Sequence, residues 1–271
     1  MTTPPELVDA LLTIENRVAT LTFNRDDVRN ELTGTKLVDD IERTVAWINA
    51  EEAIAALIIT GAGKAFSSGG NVKHMLAREG SFGGDVYEVQ KRYREGIQRI
   101  PLALHQLDVP TIAAINGPAI GAGFDLACMC DIRLAAGGAL MAESFVNVGI
   151  IPGDGGAWFL QRLVGYQRAA ELTFSGRTLT ASEAKDLGIV LDVVPGVVLL
   201  ERAAELAASF ASKPPQALRL TKRLMKSAQR MELRDFLDHC AVFQGICHNT
   251  GDHLEAVSAM LEKRAPSFAG R

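Results

Sequence analysis

Short apolar segments separated by glycine-rich turns predict a series of β-strands in the first two thirds of the chain. Residues 18–23 alternate, with Ala19, Leu21 and Phe23 on one face and β-branched side chains on the other, which is typical of a half-buried strand. Three further apolar runs are predicted as strands: 57–60, 111–115 and 131–135.

Helical periodicity appears between these strands and dominates the end of the chain. Leu37, Ile41, Val45 and Ile48 recur at helical spacing, and Thr33 is the expected N-cap of that helix. The other predicted helices cover residues 121–130, 199–211, 215–228, 233–248 and 253–263. We therefore expect an α/β core over residues 1–195 and a helical region over residues 196–271, which packs on the core or on a neighbouring subunit.

Composition excludes several classes of protein. With 48% hydrophobic and 22% charged residues, a chain of 271 residues can bury a large core. The net charge of −4 and the lack of a basic run argue against a nucleic-acid partner. The first residues have neither the basic start nor the apolar run of a signal peptide, and no apolar stretch is long enough to cross a membrane. We expect a soluble, cytoplasmic protein.

Two glycine-rich turns follow predicted strands, and neither completes a dinucleotide-binding fingerprint. The third glycine position is Phe66 after the first turn and Leu126 after the second. Small residues in such turns also let backbone N–H groups approach a ligand, and two N–H groups that converge on one oxygen form an oxyanion hole. From these residues alone, glycines that serve only tight packing explain the turns equally well.

Five segments, in order, resemble the enoyl-CoA hydratase/isomerase (crotonase) superfamily over nearly the whole chain. Residues 64–73 (KAFSSGGNVK) are similar to the family's A-F-S-A-G-A-D-x-K segment, and residues 112–126 (IAAINGPAIGAGFDL) to its A-x-x-N-G-x-A-x-G-G-G-x-E-L segment. The other matching segments are 23–32, 148–153 and 183–188.

The resemblance implies an α/β fold, a crotonase-like spiral of ββα units in two roughly perpendicular sheets with a C-terminal helical region. It also implies a homotrimer or homohexamer, an acyl-CoA thioester as substrate, no metal, and no cofactor beyond the CoA moiety. By position, the N–H groups of Gly70 and Ala122 would hold the enolate oxygen. The implied CoA-binding residues are Val28, Arg29, Ser68, Gly70, Asn71, Lys73 and Lys263.

The carboxylates depart from the family pattern. Family hydratases use two glutamates, and here the first position is Asp125 and the second is Phe145. Asp154 lies in a loop where some family isomerases place an aspartate, although theirs aligns one residue earlier. Glu143 would share the face of Phe145 in an extended segment, but it could replace Phe145 as the second acid/base only with a shift in register, so the choice between Asp154 and Glu143 for that role stays open.

This departure favours one reaction class. Hydration needs two acid/base groups, whereas a 1,3-proton shift needs one base. The sequence therefore favours an enoyl-CoA isomerase, with Asp125 and Asp154 as candidate bases. Both also suit structural roles, Asp125 in a first helical turn and Asp154 in a turn between glycines. The alternatives are an enoyl-CoA hydratase and a non-catalytic acyl-CoA-binding relative; a nucleotide-dependent oxidoreductase explains the five matches less well.

Overall fold

The structure, a computed structural model, describes residues 2–270 and contains two β-sheets. The larger sheet has six strands in the order β1-β2-β3-β4-β6-β9. Its strands are β1 (Ala10–Glu15), β2 (Val18–Phe23), β3 (Ala56–Gly61), β4 (Thr111–Ile115), β6 (Ile132–Ala136) and β9 (Asp192–Val194). β1 and β2 form an antiparallel hairpin, and all the other pairs in this sheet are parallel.

The smaller sheet has three strands, and the chain moves back and forth between the two sheets. Its strands are β5 (Ala119–Ile120), β7 (Leu140–Ala142) and β8 (Thr178–Thr180). A short loop joins β4 of the large sheet to β5 of the small sheet, and another joins β6 to β7 in the same way. Because β4 pairs with β6 and β5 pairs with β7, these two loops lie side by side. The α/β core and the helical end implied by the resemblance are both present.

Helices cover both faces of the large sheet. In chain order they are α1 (Leu37–Ala50), α2 (Val72–Ala77), α3 (Val86–Glu95), α4 (Arg99–Gln106), α5 (Ala122–Met129), α6 (Gly156–Val164), α7 (Tyr166–Ser175), α8 (Ala181–Asp186), α9 (Leu199–Ala211), α10 (Pro215–Ser227), α11 (Leu233–His248) and α12 (Gly251–Glu262). The main hydrophobic core lies on the face that Ala19, Leu21 and Phe23 present, and all three are fully buried as the alternation predicted. None of the helices in residues 2–270 combines the length and the apolar content of a membrane span.

The expected cap of α1 is wrong. The helix begins at Leu37 with Lys36 as its N-cap, whereas the Thr33 hydroxyl accepts a hydrogen bond from the Asn71 N–H at 3.0 Å. The Leu32 N–H donates to the Gly69 carbonyl at 2.7 Å. Residues 32 and 33 are therefore tied to the glycine-rich loop after β3, which keeps them out of the helix.

The C-terminal helices differ in how closely they join the core. α9 packs Leu199, Ala203 and Ala207 on the second face of the large sheet. α10 is attached by basic side chains, including Lys222, whose Nζ lies 2.6 Å from the Val109 carbonyl and 2.6 Å from the Asp131 carboxylate. α11 buries no residue completely. Two of the four helices expected in residues 196–271 thus complete the α/β core, and the division at residue 195 stays a prediction.

Candidate active site

Both glycine-rich loops border one cavity of about 180 Å³ at the ends of β3 and β5. Apolar side chains line most of it, and the polar groups that reach it come from separate parts of the chain. The lining residues that matter most are Leu32, Gly70, Tyr93, Ala122, Phe145 and Asp154. Gly70 and Ala122, the residues whose N–H groups are the expected donors, therefore border the same space.

Hydrogen bonds and close packing hold these two loops together. The Ile120 N–H donates to the Ser67 carbonyl at 3.0 Å, and the Ser67 hydroxyl donates to the Asn30 carbonyl at 2.7 Å. Gly123 has no side chain, and an added Cβ at this position would overlap the Ser67 carbonyl. The start of α5 therefore packs directly against the loop that carries Gly70.

The N–H groups of Gly70 and Ala122 are free to bind a ligand oxygen. Within residues 2–270, neither N–H has a hydrogen-bond acceptor. Ala122 is the first residue of α5, so its N–H is one of the donors that a helix start leaves unpaired, and the helix dipole favours negative charge there. Gly121, with φ of +54°, makes the turn that directs the chain into α5.

The expected CoA-binding residues of the first two segments form one surface beside the cavity. The Ser68 N–H donates to the Arg29 carbonyl at 2.9 Å, and its hydroxyl donates to the Val28 carbonyl at 3.3 Å. Asn71 caps α2, since its side chain accepts from the N–H groups of Lys73 and His74. The Lys73 side chain is exposed next to this cap.

Lys263 lies far along the chain from this surface. It ends α12 in a left-handed conformation, with φ of +56°, and it is exposed. It does not line the cavity. Its expected contact with CoA therefore stays a prediction.

Three buried carboxyl groups meet behind Phe145. Asp125, Glu143 and Asp154 are 0%, 1% and 3% exposed, and as bare carboxylates their six oxygens have no hydrogen-bond donor within residues 2–270. The Asp125 carboxyl lies within hydrogen-bonding reach of both others. Among the three, Asp154 lines the cavity and the other two do not.

The segment that follows Glu143 is not extended, although the sequence suggested that it would be, and Glu143 does not replace Phe145 in the cavity lining. The chain turns at Ser144, and residues Phe145–Val148 form a single turn of 3₁₀ helix rather than a strand. This turn keeps Phe145 on the cavity while Glu143, just after β7, points into the cluster. Sequence spacing could not reveal the contact, because it depends on a local departure from extended backbone.

Burial controls the electrostatics of the cluster. It raises the pKa of Asp125 well above the usual range of an aspartate, and the charges of Asp154 and Glu143 raise it further. Burial also raises the pKa of Glu143 and that of Asp154, against the effect of a hydrogen bond from Asp125, which lowers both. Asp125 is therefore the carboxyl group that is most strongly held in its protonated form.

Tyr93 is a cavity residue that no sequence motif indicated. Its ring lies against Gly153, where an added Cβ would come within 3.2 Å of the ring edge. Burial raises the pKa of its hydroxyl, and the charge of Asp154 adds to the effect. Because α3 carries only an ordinary amphipathic pattern, nothing in the sequence distinguishes Tyr93 from a packing residue. In the described part of the chain, no three His, Cys, Asp or Glu side chains are arranged so that they could hold a metal ion.

Comparison with known proteins gives a consistent result. The Enoyl-CoA hydratase/isomerase family matches residues 13–271. The chain is 34% identical to the putative enoyl-CoA hydratase/isomerase YhaR of Bacillus subtilis over 251 residues, which are 93% of this chain and 95% of that protein. It is 32% identical to the 1,2-epoxyphenylacetyl-CoA isomerase of Escherichia coli over 259 residues, which are 95% of this chain and 97% of that one.

A solved structure supports the same relationship at the level of the fold. The crystal structure of an enoyl-CoA hydratase from Bacillus anthracis superposes with a TM-score of 0.90 at 34% identity, and the match covers 97% of this chain and all of the other. Relatives named as hydratases and as isomerases are thus similar to this chain to about the same extent. The match along the sequence, the two sheets and the paired glycine-rich loops agree, and the chain belongs to the enoyl-CoA hydratase/isomerase family.

Proposed function

We propose that the protein isomerises 3-enoyl-CoA thioesters, or related dienoyl thioesters, to their 2-enoyl forms. The observation that carries this proposal is the cavity lining, in which Asp154 borders the same space as Gly70 and Ala122, whose N–H groups are free. Asp39 is the other carboxyl group of the lining, and an ion pair with Arg99 already engages it. Asp154 and the two N–H groups suit a 1,3-proton shift, which needs one base to move the proton and hydrogen-bond donors to stabilise the negative charge on the enolate oxygen.

The reaction follows from these three groups. Asp154 removes a proton from C2 of the 3-enoyl thioester. The electron pair of that C–H bond forms a C1–C2 double bond, and the electron pair of the carbonyl π bond moves onto the thioester oxygen. The N–H groups of Gly70 and Ala122 stabilise the resulting dienolate, each by about 2.7–4 kcal/mol. Asp154 then returns the proton to C4, the dienolate collapses, and the double bond lies between C2 and C3.

Phe145 is the reason that hydration is the less favoured reaction. It lines the cavity at the position where family hydratases carry their second glutamate, and an apolar ring cannot transfer a proton. Asp125 lies within reach of Asp154 and is a second carboxyl group for hydration, but it does not line the cavity. We therefore keep hydration as the second candidate.

The surface formed by Val28, Arg29, Ser68 and Asn71 would bind the CoA moiety in this proposal. Lys73, exposed at the start of α2, would meet a CoA phosphate. Lys263 does not line the cavity, and it would meet such a phosphate if α12 of one subunit lies beside the cavity of another.

Replacement of Asp154 by asparagine tests the proposal. Asp154→Asn keeps the size of the side chain and removes the base, so kcat for isomerisation should fall by about 10²–10⁴. Steady-state kinetics with a 3-enoyl-CoA substrate measures this, and binding of the product thioester checks that the cavity is intact. Asp252→Asn is the matched control, because Asp252 is also 3% exposed and accepts hydrogen bonds from residues 269 and 270, outside the cavity. A loss of only a few-fold in Asp154→Asn would contradict the role of Asp154.

A further inference from the structure

Two of the three buried carboxyl groups have no part in the proposed reaction. Asp125 and Glu143 are enclosed behind Asp154, and their oxygens lack donors within residues 2–270. A buried polar group without a partner is costly, and two adjacent carboxylates repel each other. The cluster therefore needs protons of its own to be stable.

The geometry determines how many protons the cluster needs. Asp125 makes two contacts, one with Glu143 and one with Asp154. One proton on Asp125 can bridge only one contact, because a carboxylic acid has a single O–H donor. The other contact needs a second proton, and Glu143 is the group that can carry it without protonating the base that faces the cavity.

We propose that Glu143, Asp125 and Asp154 form a chain of two hydrogen bonds that retains two protons at neutral pH. Glu143 donates to Asp125, Asp125 donates to Asp154, and the single negative charge lies on Asp154. Glu143 is a positioning residue in this arrangement: it never touches the substrate, and it keeps the proton of Asp125 directed at Asp154.

The groups around the cluster agree with this charge distribution. Within residues 2–270, no basic side chain shifts the pKa of Glu143 or of Asp154. The other titratable groups that face the cluster are Tyr93 on α3 and the Cys128 thiol on α5, and both are neutral at pH 7 because burial raises the pKa of each. Two arginines line the same cavity. Arg99 on α4 forms ion pairs with Asp39 and Glu42. Arg92 on α3 donates hydrogen bonds to the carbonyls of Gly80 and Gly83.

The consequence for catalysis rests on the proposed function. A hydrogen bond from Asp125 fixes the orientation of the Asp154 carboxylate and leaves its second oxygen for the substrate carbon. When Asp154 takes a proton from C2, the whole cluster becomes neutral, so no charge of the cluster opposes the enolate. The two N–H donors then act on the enolate without competition from a carboxylate of the cluster.

Infrared difference spectra of the full-length protein without substrate test the arrangement at neutral pH. In the difference spectrum between wild type and Glu143→Gln, one C=O band of a protonated carboxyl group should be present in wild type and absent from the variant. The difference spectrum between wild type and Asp125→Asn should show the same loss of one such band. Wild type minus Asp154→Asn should instead contain a lost carboxylate band. Glutamine and asparagine amides can donate as the protonated acids do, so both neighbours keep their contacts.

Asp252→Asn is the control, since the oxygens of Asp252 accept backbone N–H groups and no protonated band should be lost. The proposal is overturned if Glu143 or Asp125 gives a carboxylate band, or if Asp154 gives a protonated one. If Glu143→Gln does not fold, the Asp125 and Asp154 spectra still decide. The spectra are recorded without substrate, so they test the proton arrangement separately from the reaction. If the expected bands are found but the protein has no isomerase activity, the proposed function is wrong and the proton arrangement stands.

Discussion

The carboxyl group of Asp125 lies where its charge is strongly disfavoured, and this has a measurable effect on stability. Its pKa is raised in the folded protein, so between about pH 4, near the value of an unfolded aspartate, and the folded value the folded state binds more protons. By linkage, the free energy of unfolding falls as pH rises through this window, by about 1.4 kcal/mol for each pH unit.

Asp125→Asn should remove this penalty, because asparagine keeps a donor and carries no charge. We expect the unfolding temperature of the variant, relative to wild type, to increase as pH rises from about 4 toward the raised pKa of Asp125. Thermal unfolding followed by circular dichroism at several pH values measures the difference. Asp252→Asn, which lacks this environment, provides the baseline. A difference that stays constant or shrinks as pH rises would show that Asp125 is not held protonated.

Sequence reasoning at the residue scale succeeds where a motif fixes the backbone and is incomplete where folding brings distant residues together. Gly70, Ala122 and Asp154 follow from their segments, and all three line one cavity. Glu143 does not, because an extended segment is the natural expectation where the chain in fact turns at Ser144. Tyr93 has no signal in the sequence, since its contact with Gly153 joins two parts of the chain that share no pattern.

At the element scale, the start of α5 carries the second N–H donor. Ala122 is the first helical residue, a position that tolerates proline because its N–H has no partner inside the helix. Ala122→Pro should therefore preserve α5 and lower kcat by about 10²–10³ through loss of one donor. Kinetics together with a circular dichroism spectrum measures both effects.

Tyr166→Pro is the matched control for that variant. Tyr166 is likewise the first residue of its helix, α7, and it is exposed and does not line the cavity. Its replacement should leave turnover unchanged. If Ala122→Pro folds and turns over at the wild-type rate, the Ala122 N–H does not stabilise the enolate.

The predicted elements agree with the structure where the pattern is strong. The strands at 18–23 and 111–115 and the helices at 199–211 and 233–248 have the predicted bounds. α2, α3 and α4 are not predicted, because they are short, Gly80, Gly83, Gly84 and Gly96 interrupt the segment 72–106, and Pro101 lies within α4. This is also the segment that supplies Tyr93, so the weakest part of the prediction borders the site.

At the scale of the whole molecule, α11 and α12 expose an apolar surface that a single subunit leaves uncovered. Leu233 and Leu237 on one side of α11 are 71% and 55% exposed, and Leu254, Met260 and Leu261 on α12 are exposed as well. Contiguous apolar surface of this kind indicates an interface. We propose that these two helices assemble the homotrimer or homohexamer that the family resemblance implies.

Charges placed on this surface should weaken the assembly. Leu233→Glu combined with Leu237→Glu should shift the full-length protein toward smaller species in sedimentation velocity, because a buried carboxylate without a partner opposes association. Val197→Glu, at an equally apolar position that is 94% exposed outside α11 and α12, is the control and should not change the sedimentation coefficient. An unchanged oligomer in the double variant would place the interface elsewhere.

The central claim is that one cavity-facing carboxylate moves a proton between two carbons of a bound dienolate. The most direct test compares two initial rates on one preparation of the wild-type protein: isomerisation of a 3-enoyl-CoA and hydration of crotonyl-CoA. We expect isomerisation to be the faster reaction, because Phe145 occupies the position of the second acid/base group. Efficient hydration of crotonyl-CoA without isomerase activity would contradict the account, and Asp125 or Glu143 would then have to reach the substrate.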